Sequence, residues 1–258
     1  MSDVKIDTNI FHKRLSILQK NLTADSSKYS SLLFLVGARD DESTYKKSTV
    51  LQIWLLGYEF AHTSMLITQD KCFIITSEGK AKYLKQLPNK PTNNSSDVEI
   101  WTRTKDTEKN KQLFKDLIGK LKEVGSEEQK IGTIIKDQYK GKFIDEWNEV
   151  SKEDNLQYLD ASLLVSKSLE LKDSDEFNNT KTAAKSSVVM MDTFANEMMV
   201  VVDEELKTKN SDLSDKIEDH ITKTLLKDGK VASEVYQGAT DFIKKERPDL
   251  LDHFTKNF

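Results

Sequence analysis

The order of two kinds of apolar pattern along the chain constrains the fold more than any single motif does. Short apolar runs typical of buried strands alternate with amphipathic helix patterns about four times before residue 160. This alternation predicts an α/β class, in which a mostly parallel or mixed sheet is covered by helices. From residue 171 to residue 258 only helical patterns remain. We therefore predict two domains, an α/β lobe over residues 1–170 and a mostly helical portion over residues 171–258.

The individual elements follow from local spacing and composition. Residues 49–56 are apolar on most sides and fit a helix or a strand equally well. Runs rich in β-branched and aromatic residues predict strands at residues 31–36, 72–76, 98–102, 130–135 and 156–159. Apolar residues three and four apart predict helices at residues 6–22, 78–87, 106–124, 139–151, 175–206, 213–225 and 235–243.

The long helix predicted after residue 175 has two notable apolar features. Its four methionines could form an adaptable binding groove, but core packing is the interpretation we favour. These methionines are Met190, Met191, Met198 and Met199. An apolar stripe runs along the same helix through Ala184, Val188, Met191, Ala195, Met198 and Val202.

Composition argues against several classes of function. The net charge is −4, and acidic and basic residues are mixed along the chain. Sequence-independent DNA binding usually needs a basic excess or stripe, which this chain lacks, and the lysines between 105 and 122 fit a solvated helix face. We also expect no direct sequence-specific DNA binding. No apolar run is long enough to span a membrane. Cys72 is the single cysteine, which fits a reducing compartment and a small buried hydrophobic residue.

No catalytic, cofactor or metal motif stands out. The histidines lack H-x-x-x-H spacing, and the nearest cluster, Asp249-Leu-Leu-Asp-His253, fits a polar helix end. There is no G-x-S-x-G elbow, phosphate loop or G-x-G-x-x-G sequence. We interpret the aromatic residues Trp54, Tyr58 and Phe60 as core residues. The residues alone therefore predict a soluble intracellular α/β domain with a helical segment and no visible active site.

Several longer tracts carry a family resemblance. They are Leu51-Gln-Ile-Trp-Leu-Leu-Gly-Tyr-Glu-Phe60, Ile74-Ile-Thr-Ser77, Lys80-Ala-Lys82, Val202-Asp-Glu-Glu-Leu-Lys207 and Leu213-Ser-Asp-Lys-Ile-Glu218. With these tracts the chain resembles the N-terminal, non-catalytic, aminopeptidase-like region of the large subunit of the FACT histone chaperone. The resemblance implies a creatinase-like N-terminal lobe, followed here by an incomplete pita-bread portion.

The resemblance also implies a function. It suggests a nuclear, chromosomal protein that binds nucleosomes and histones, either the H3–H4 pair or the pair that contains H2B, and reorganises nucleosomes during transcription, replication and repair. Contact with the smaller FACT subunit would use family regions absent here, and the histone-binding residues are unknown. Active enzymes of this fold hold a pair of metal ions, whereas the family lacks those ligands and this chain reads Phe254-Thr-Lys-Asn257 where a histidine would stand. We therefore expect a pseudo-peptidase without cofactor or metal.

One departure from the family pattern concerns residues 219–223. A long family segment, carrying several strands of the pita-bread sheet, is missing at this junction. We therefore expect residues 171–258 to be helical but poorly anchored, with the apolar stripe of the long helix left without its sheet. Two alternatives stay open at this point, a metallo-aminopeptidase or creatinase-like hydrolase and a fragment without independent function.

Overall fold

The structure, a computed structural model, describes residues 5–39, 46–92, 95–124, 130–154 and 156–224. The chain divides into two compact units, Met1–Leu171 and Lys172–Phe258. In the first unit the strands are β1 Ser31–Val36, β2 Thr63–Ile67, β3 Lys71–Ser77, β4 Asp97–Arg103, β5 Lys130–Thr133 and β6 Gln157–Asp160. Its helices are α1 Thr8–Ala24, α2 Lys47–Leu56, α3 Glu78–Leu84, α4 Thr107–Val124, α5 Lys142–Ser151 and α6 Ser162–Glu170.

The six strands form one mixed sheet in the order β4-β3-β2-β1-β5-β6. Strand β2 is antiparallel to both of its neighbours, β1 and β3. The pairs β1–β5, β3–β4 and β5–β6 are parallel. The mixed sheet covered by helices that the sequence predicted is therefore confirmed. Because β1, β3, β4, β5 and β6 run in one direction, all five end at one edge of the sheet, which we call the carboxyl edge.

Helices cover both faces of this sheet. Successive side chains of a strand point to opposite faces, and β1 shows this directly because Leu32 and Phe34 belong to one buried cluster while Leu33 belongs to another. The first cluster includes buried residues of α1, α2 and α6, and the second includes those of α4 and α5. Burial on both faces explains why the strands read as nearly continuous apolar runs.

Helix ends follow the expected chemistry. The side chain of Asp7 caps α1 by accepting a hydrogen bond of 2.9 Å from the backbone N–H of Ile10. The run at residues 49–56, which fitted either a helix or a strand, is helical. Gly57 ends α2 with a left-handed φ of 77°, and its N–H donates to the carbonyl oxygen of Ile53.

Two elements were missing from the sequence prediction. Strand β2 has only three strongly apolar residues in its sequence Thr-Ser-Met-Leu-Ile, yet every position is buried because β1 and β3 flank it. Helix α6 is short and begins directly after β6, where the Asp160 carboxylate accepts from the N–H and hydroxyl of Ser162. Neither segment is long enough for the spacing of its apolar residues to show a helix or strand period.

The described part of the second unit is helical, as predicted. It consists of α7 Ser174–Asp203 and α8 Asn210–Thr224, which pack against each other. A capping box formed by Asp173 and Glu176 begins α7, and an ion pair of 2.5 Å joins Lys216 to Glu197. The backbone of α8 continues through the junction at residues 219–223, and the helix predicted at 235–243 lies outside the described residues. None of the helices among the described residues is long and apolar enough to cross a membrane.

The apolar stripe of α7 is mostly exposed. Val189 is the one buried residue of α7, whereas Val188, Met191 and Val202 are 41%, 64% and 67% exposed. The interpretation of the methionines as core residues is wrong for Met191 and Met199, which are both more than half exposed. These side chains face away from the buried contacts of α7, so helical period alone did not tell a buried stripe from a stripe without a partner.

Candidate functional site

Three cationic or titratable side chains meet at the carboxyl edge of the first unit. His62 directly precedes β2, Lys80 lies in the first turn of α3, and Arg103 is the last residue of β4. Strand pairing brings them together, because Ser77 at the end of β3 lies opposite Arg103. Open α/β sheets bind ligands at this edge, where the direction of chain connection changes. The edge is therefore the first place to look for a binding site.

The phenyl ring of Phe143 in α5 organises this group. The Arg103 guanidinium lies 4.6 Å from the centre of the Phe143 ring, and the His62 ring meets Phe143 edge-on at 6.4 Å between ring centres. The amino group of Lys80 donates to the carbonyl oxygen of Ala61, the residue before His62. Arg103 also donates a hydrogen bond of 2.6 Å to a carboxylate oxygen of Glu146. We call His62, Lys80, Arg103, Phe143 and Glu146 the carboxyl-edge cluster.

The Arg103–Glu146 pair of the carboxyl-edge cluster is largely withdrawn from water, whereas His62 and Lys80 are partly buried. The side chains of Arg103 and Glu146 are only 14% and 5% exposed. Burial lowers the pKa of His62, and the nearby positive charges of Lys80 and Arg103 lower it further. The pKa of Lys80 is also lowered, mainly by burial, with Glu59 opposing and Arg103 adding to the effect. The Nε of Arg103 is buried and has no hydrogen-bond partner among the described residues.

The backbone holds the carboxyl-edge cluster in a fixed geometry. His62 has a left-handed φ of 54°, which is uncommon outside glycine, and its N–H donates to the carbonyl oxygen of Gly37 at 2.9 Å. At Gly37 a Cβ atom would lie 2.6 Å from the Cβ of Tyr139, so only glycine lets the end of β1 approach the loop before α5 this closely. Strain of this kind persists where the surrounding structure requires it.

A shallow groove lies on another side of the same unit, between α5 and the edge strand β6. Its volume is about 640 Å³, and we call it the α5–β6 groove. Two acidic side chains, one lysine and polar and apolar groups line it, namely Asp145, Asn148, Glu149, Ser151, Lys152, Leu156 and Tyr158. Strand β6 pairs with β5 on one side only, and among the described residues no strand lies beyond it.

The structure settles the residues that the sequence left as candidates for chemistry. Cys72 is fully buried, and burial raises the pKa of its thiol to about 12, which confirms it as a buried hydrophobic residue. Trp54 and Phe60 are core residues, as predicted. Tyr58 is 43% exposed, so its core interpretation was wrong, because α2 ends at Gly57 and turns the next side chain outward.

The lysine-rich stretch is a solvated face of α4, as predicted. Lys111, Lys120 and Lys122 pair with acidic side chains, Lys111 with Glu149 and Lys120 with Glu123. In the part of the chain that the structure describes, no three His, Cys, Asp or Glu side chains come close enough to hold a metal ion. The cluster Asp249–His253 in the sequence lies outside the described residues.

Sequence reasoning did not find the carboxyl-edge cluster. Two of its members could have been placed, because Lys80 and Arg103 follow predicted strands and the ends of parallel strands meet at one edge. His62 could not be placed, because β2 itself was missed. Phe143 and Glu146 were assigned to a helix without any indication of what they contact.

Comparison with known proteins identifies the family. The family model described as "FACT complex subunit SPT16 N-terminal lobe domain" matches residues 6–164. The FACT complex subunit SPT16 of Debaryomyces hansenii is 50% identical and covers 100% of this chain. The solved N-terminal domain of SPT16 from Eremothecium gossypii has 33% identity and a TM-score of 0.77, with 96% of this chain and 53% of that chain covered. This chain belongs to the family of the SPT16 N-terminal lobe.

A more distant structure agrees on the fold. The SPT16 N-terminal domain of chickpea (Cicer arietinum) has a TM-score of 0.77 at 24% identity, covering 89% of this chain and 54% of that chain. The chain spans about a third, 35%, of the length of the Debaryomyces relative. Their alignment extends over 358 positions, whereas this chain has 258 residues, a difference of 100 positions. The difference fits a family segment that has no counterpart in this chain.

Proposed function

We propose that this chain is a non-catalytic, histone-binding module of a FACT subunit, which acts on nucleosomes in the nucleus during transcription, replication and repair. The observation that carries the proposal is the match of the SPT16 N-terminal lobe over residues 6–164, joined to similarity with an SPT16 subunit along the whole chain. Contact with the smaller FACT subunit is assigned to family regions outside this chain.

Three side chains of types that often take part in catalysis make structural contacts here, which supports a non-catalytic role. The thiol of Cys72 is buried and its pKa is raised to about 12, so no reactive thiolate forms near neutral pH. The Nε2 of His12 bonds the carbonyl oxygen of Leu87 at 2.9 Å inside the core. His62 stands beside two cations, Lys80 and Arg103, and its ring packs edge-on against Phe143.

The α5–β6 groove supplies a surface that suits an extended basic peptide. An exposed edge strand can accept a further strand through its free backbone groups, while pockets beside it take side chains. The carboxylates of Asp145 and Asp160 are exposed on this side of the first unit, and the hydroxyl of Ser162 holds the pKa of Asp160 below its usual value. Histone tails are basic and extended, so we assign their contact to this groove.

Binding of the full chain to the two purified core histone pairs, H3–H4 and the pair that contains H2B, tests the proposal. We expect saturable binding of at least one pair that weakens as salt rises, because exposed charges are screened. The charge-reversal variant Asp145→Lys should weaken binding roughly tenfold, about 1.4 kcal/mol. Asp116→Lys on the exposed face of α4 is the matched control and should leave binding unchanged. Failure to bind either histone pair would favour a fragment without independent function.

A peptidase assay tests the non-catalytic part. Active enzymes of this kind need a metal with an open position or a positioned acid and base. We expect no hydrolysis of X-Pro dipeptides with added manganese, and no stoichiometric metal in chelator-washed protein by elemental analysis. Hydrolysis that increases with the manganese concentration would contradict the non-catalytic role and show that the chain is a hydrolase.

A further inference from the structure

The geometry points to an anion-binding site at the carboxyl edge, where His62, Lys80 and Arg103 converge on a single oxyanion, the carboxylate or phosphate group of a ligand. This site is separate from the α5–β6 groove and does not depend on histone binding. It is built from side chains of the loop before β2, of α3 and of β4, which the contacts through Phe143 and Ala61 hold together.

The local balance of charge favours an anion. The carboxylate of Glu146 is shared, because Arg103 lies 2.6 Å from one oxygen and Lys142 lies 3.7 Å from the other. Glu59 faces Arg39 at 3.6 Å. Lys80 makes no ion pair with any described residue, and its one hydrogen bond goes to a backbone carbonyl. Around His62 the positive charges therefore outnumber the negative ones. The charges that act on His62 are Lys80 and Arg103. Their acidic neighbours are Glu59, which acts on Lys80 and faces Arg39, and Glu146, which pairs with Arg103 and lies near Lys142.

Desolvation strengthens the same argument. Burial is the main cause of the lowered pKa values of His62 and Lys80, and the like charges beside them lower these values further. An oxyanion placed among them would replace repulsion by attraction. The contacts with Phe143, Ala61 and Glu146 hold these cations in place, so a ligand would not have to order them.

Free donors point to an oxyanion in particular. The buried Nε–H of Arg103 has no acceptor among the described residues, and the ammonium of Lys80 has three protons, of which the carbonyl of Ala61 takes one. A protonated His62 adds a further N–H. The N–H donors of a guanidinium and a nearby ammonium can each bond a different oxygen of one carboxylate or phosphate group. The shared chemistry of the ligand is therefore a single oxyanion group.

Sulfate is a suitable probe, because it stays a dianion between pH 5 and 8. The ring C–H signal of His62 in the full chain is followed by NMR and assigned with His62→Asn, since asparagine tolerates the left-handed φ. Sodium sulfate is compared with sodium chloride at equal ionic strength. We expect a saturable sulfate shift of this signal and a His62 pKa raised by roughly half a unit or more. A linear response equal to that of chloride would overturn the site.

The variant Lys80→Met tests whether sulfate binding depends on the charge of Lys80. Methionine keeps the apolar stem of the half-buried lysine and removes its charge, so the fold should be retained. Sulfate affinity should fall at least tenfold in Lys80→Met and stay unchanged in the control Lys82→Met, which alters an exposed lysine of the same helix. Equal losses in the two variants would show general charge screening and overturn the proposal.

A pH series tests the site in the unmodified protein. An anion that raises the pKa of His62 must, by linkage, bind more tightly when His62 is protonated. Sulfate affinity should therefore rise several-fold as pH falls from 7.5 to 5.5, and this rise should disappear in His62→Asn. A flat pH dependence in the wild-type chain counts against the site. Acetate and methyl phosphate, titrated in the same way, distinguish a carboxylate ligand from a phosphate ligand.

Discussion

The two units of this chain contain helices with similar apolar stripes, but the stripe is buried in the first unit and exposed in the second. In the first unit the helix α1 presents Phe11, Leu15 and Leu18 to the sheet, and all three are fully buried. In the second unit the helix α7 carries a stripe of the same period, but Met191 and Val202 are about two-thirds exposed. Both helices begin with an aspartate cap, so their local signals are equally good.

The difference shows that a helical period predicts a helix and a stripe, but does not guarantee a partner for that stripe. Burying an apolar side chain contributes roughly 1.5–3 kcal/mol, so an uncovered stripe forgoes a large stabilising term. The alignment with the Debaryomyces relative has 100 positions more than this chain has residues. We infer that the missing family segment, which the resemblance assigns to the pita-bread sheet, is what would cover α7.

Hydrogen exchange should show the largest contrast. Core strands of a stable domain open with the global free energy of unfolding, about 5–15 kcal/mol, whereas weakly packed helices open with nearly none. We expect slow exchange in β1 and β3, and exchange over residues 184–202 faster by several orders of magnitude. The chain must first be shown to be monomeric, because self-association could cover the stripe. Exchange over 184–202 as slow as in the strands of a monomer would refute the missing-partner account.

A pair of core-type substitutions gives the next contrast. Phe114→Ala removes a fully buried ring and should lower the free energy of unfolding by about 3–5 kcal/mol. Met191→Ala removes an exposed side chain and should change it by less than about 0.5 kcal/mol. All three tryptophans of the chain, Trp54, Trp101 and Trp147, lie in the first unit, so their fluorescence in urea reports that unit alone. A loss above about 2 kcal/mol in Met191→Ala would mean that α7 contributes to the core.

Removing the same kind of cap in both units gives a smaller effect. Asp7→Ala and Asp173→Ala each delete a carboxylate that accepts from the first turn of its helix, at a cost of about 0.5–2 kcal/mol. We expect Asp7→Ala to lower the urea midpoint seen by tryptophan fluorescence. Asp173→Ala should leave that midpoint unchanged and reduce the helical circular dichroism signal. Equal shifts of the fluorescence midpoint would indicate that the two units unfold together.

The sequence predicted most of the fold because long, strongly patterned elements dominate it. Strand β1 was placed at its observed bounds, since six apolar or small residues stand between a turn and Gly37. Strand β2 was missed because its burial comes from the neighbouring strands and not from its own composition. Helix α6 was missed because it lies where the two predicted parts meet. Tertiary context overrides local propensity in such short elements.

The carboxyl-edge cluster could not be predicted as a whole, because His62, Lys80 and Arg103 are separated along the chain by 18 residues or more and meet only through the order of the strands. Nothing in the sequence says that His62 adopts a left-handed φ or that Phe143 contacts both His62 and Arg103. Such a site depends on the pairing of β3 with β4, which brings Arg103 opposite Ser77 from 26 residues away along the chain. The exposure of the α7 stripe also depends on contacts with distant parts of the chain. Periodicity did not predict this exposure, but the family resemblance did.

A pH titration probes the smallest effect, within the first unit. Because burial and neighbouring cations lower the pKa of His62, the folded chain binds this proton less readily than the unfolded chain does. This contribution to stability is present above the unfolded pKa, near 6.5, and is lost as pH falls from there through the lower folded pKa. We expect the fluorescence midpoint in urea to fall over this window, and to fall less in His62→Asn, which cannot take up the proton.

Carboxylates titrating in the same range affect both proteins alike, so the difference between the two curves isolates His62. Curves that stay parallel from pH 7.5 to 5 would mean that the ring of His62 is as free in the folded chain as in the unfolded one. The carboxyl-edge cluster would then be as loosely held as the stripe of α7.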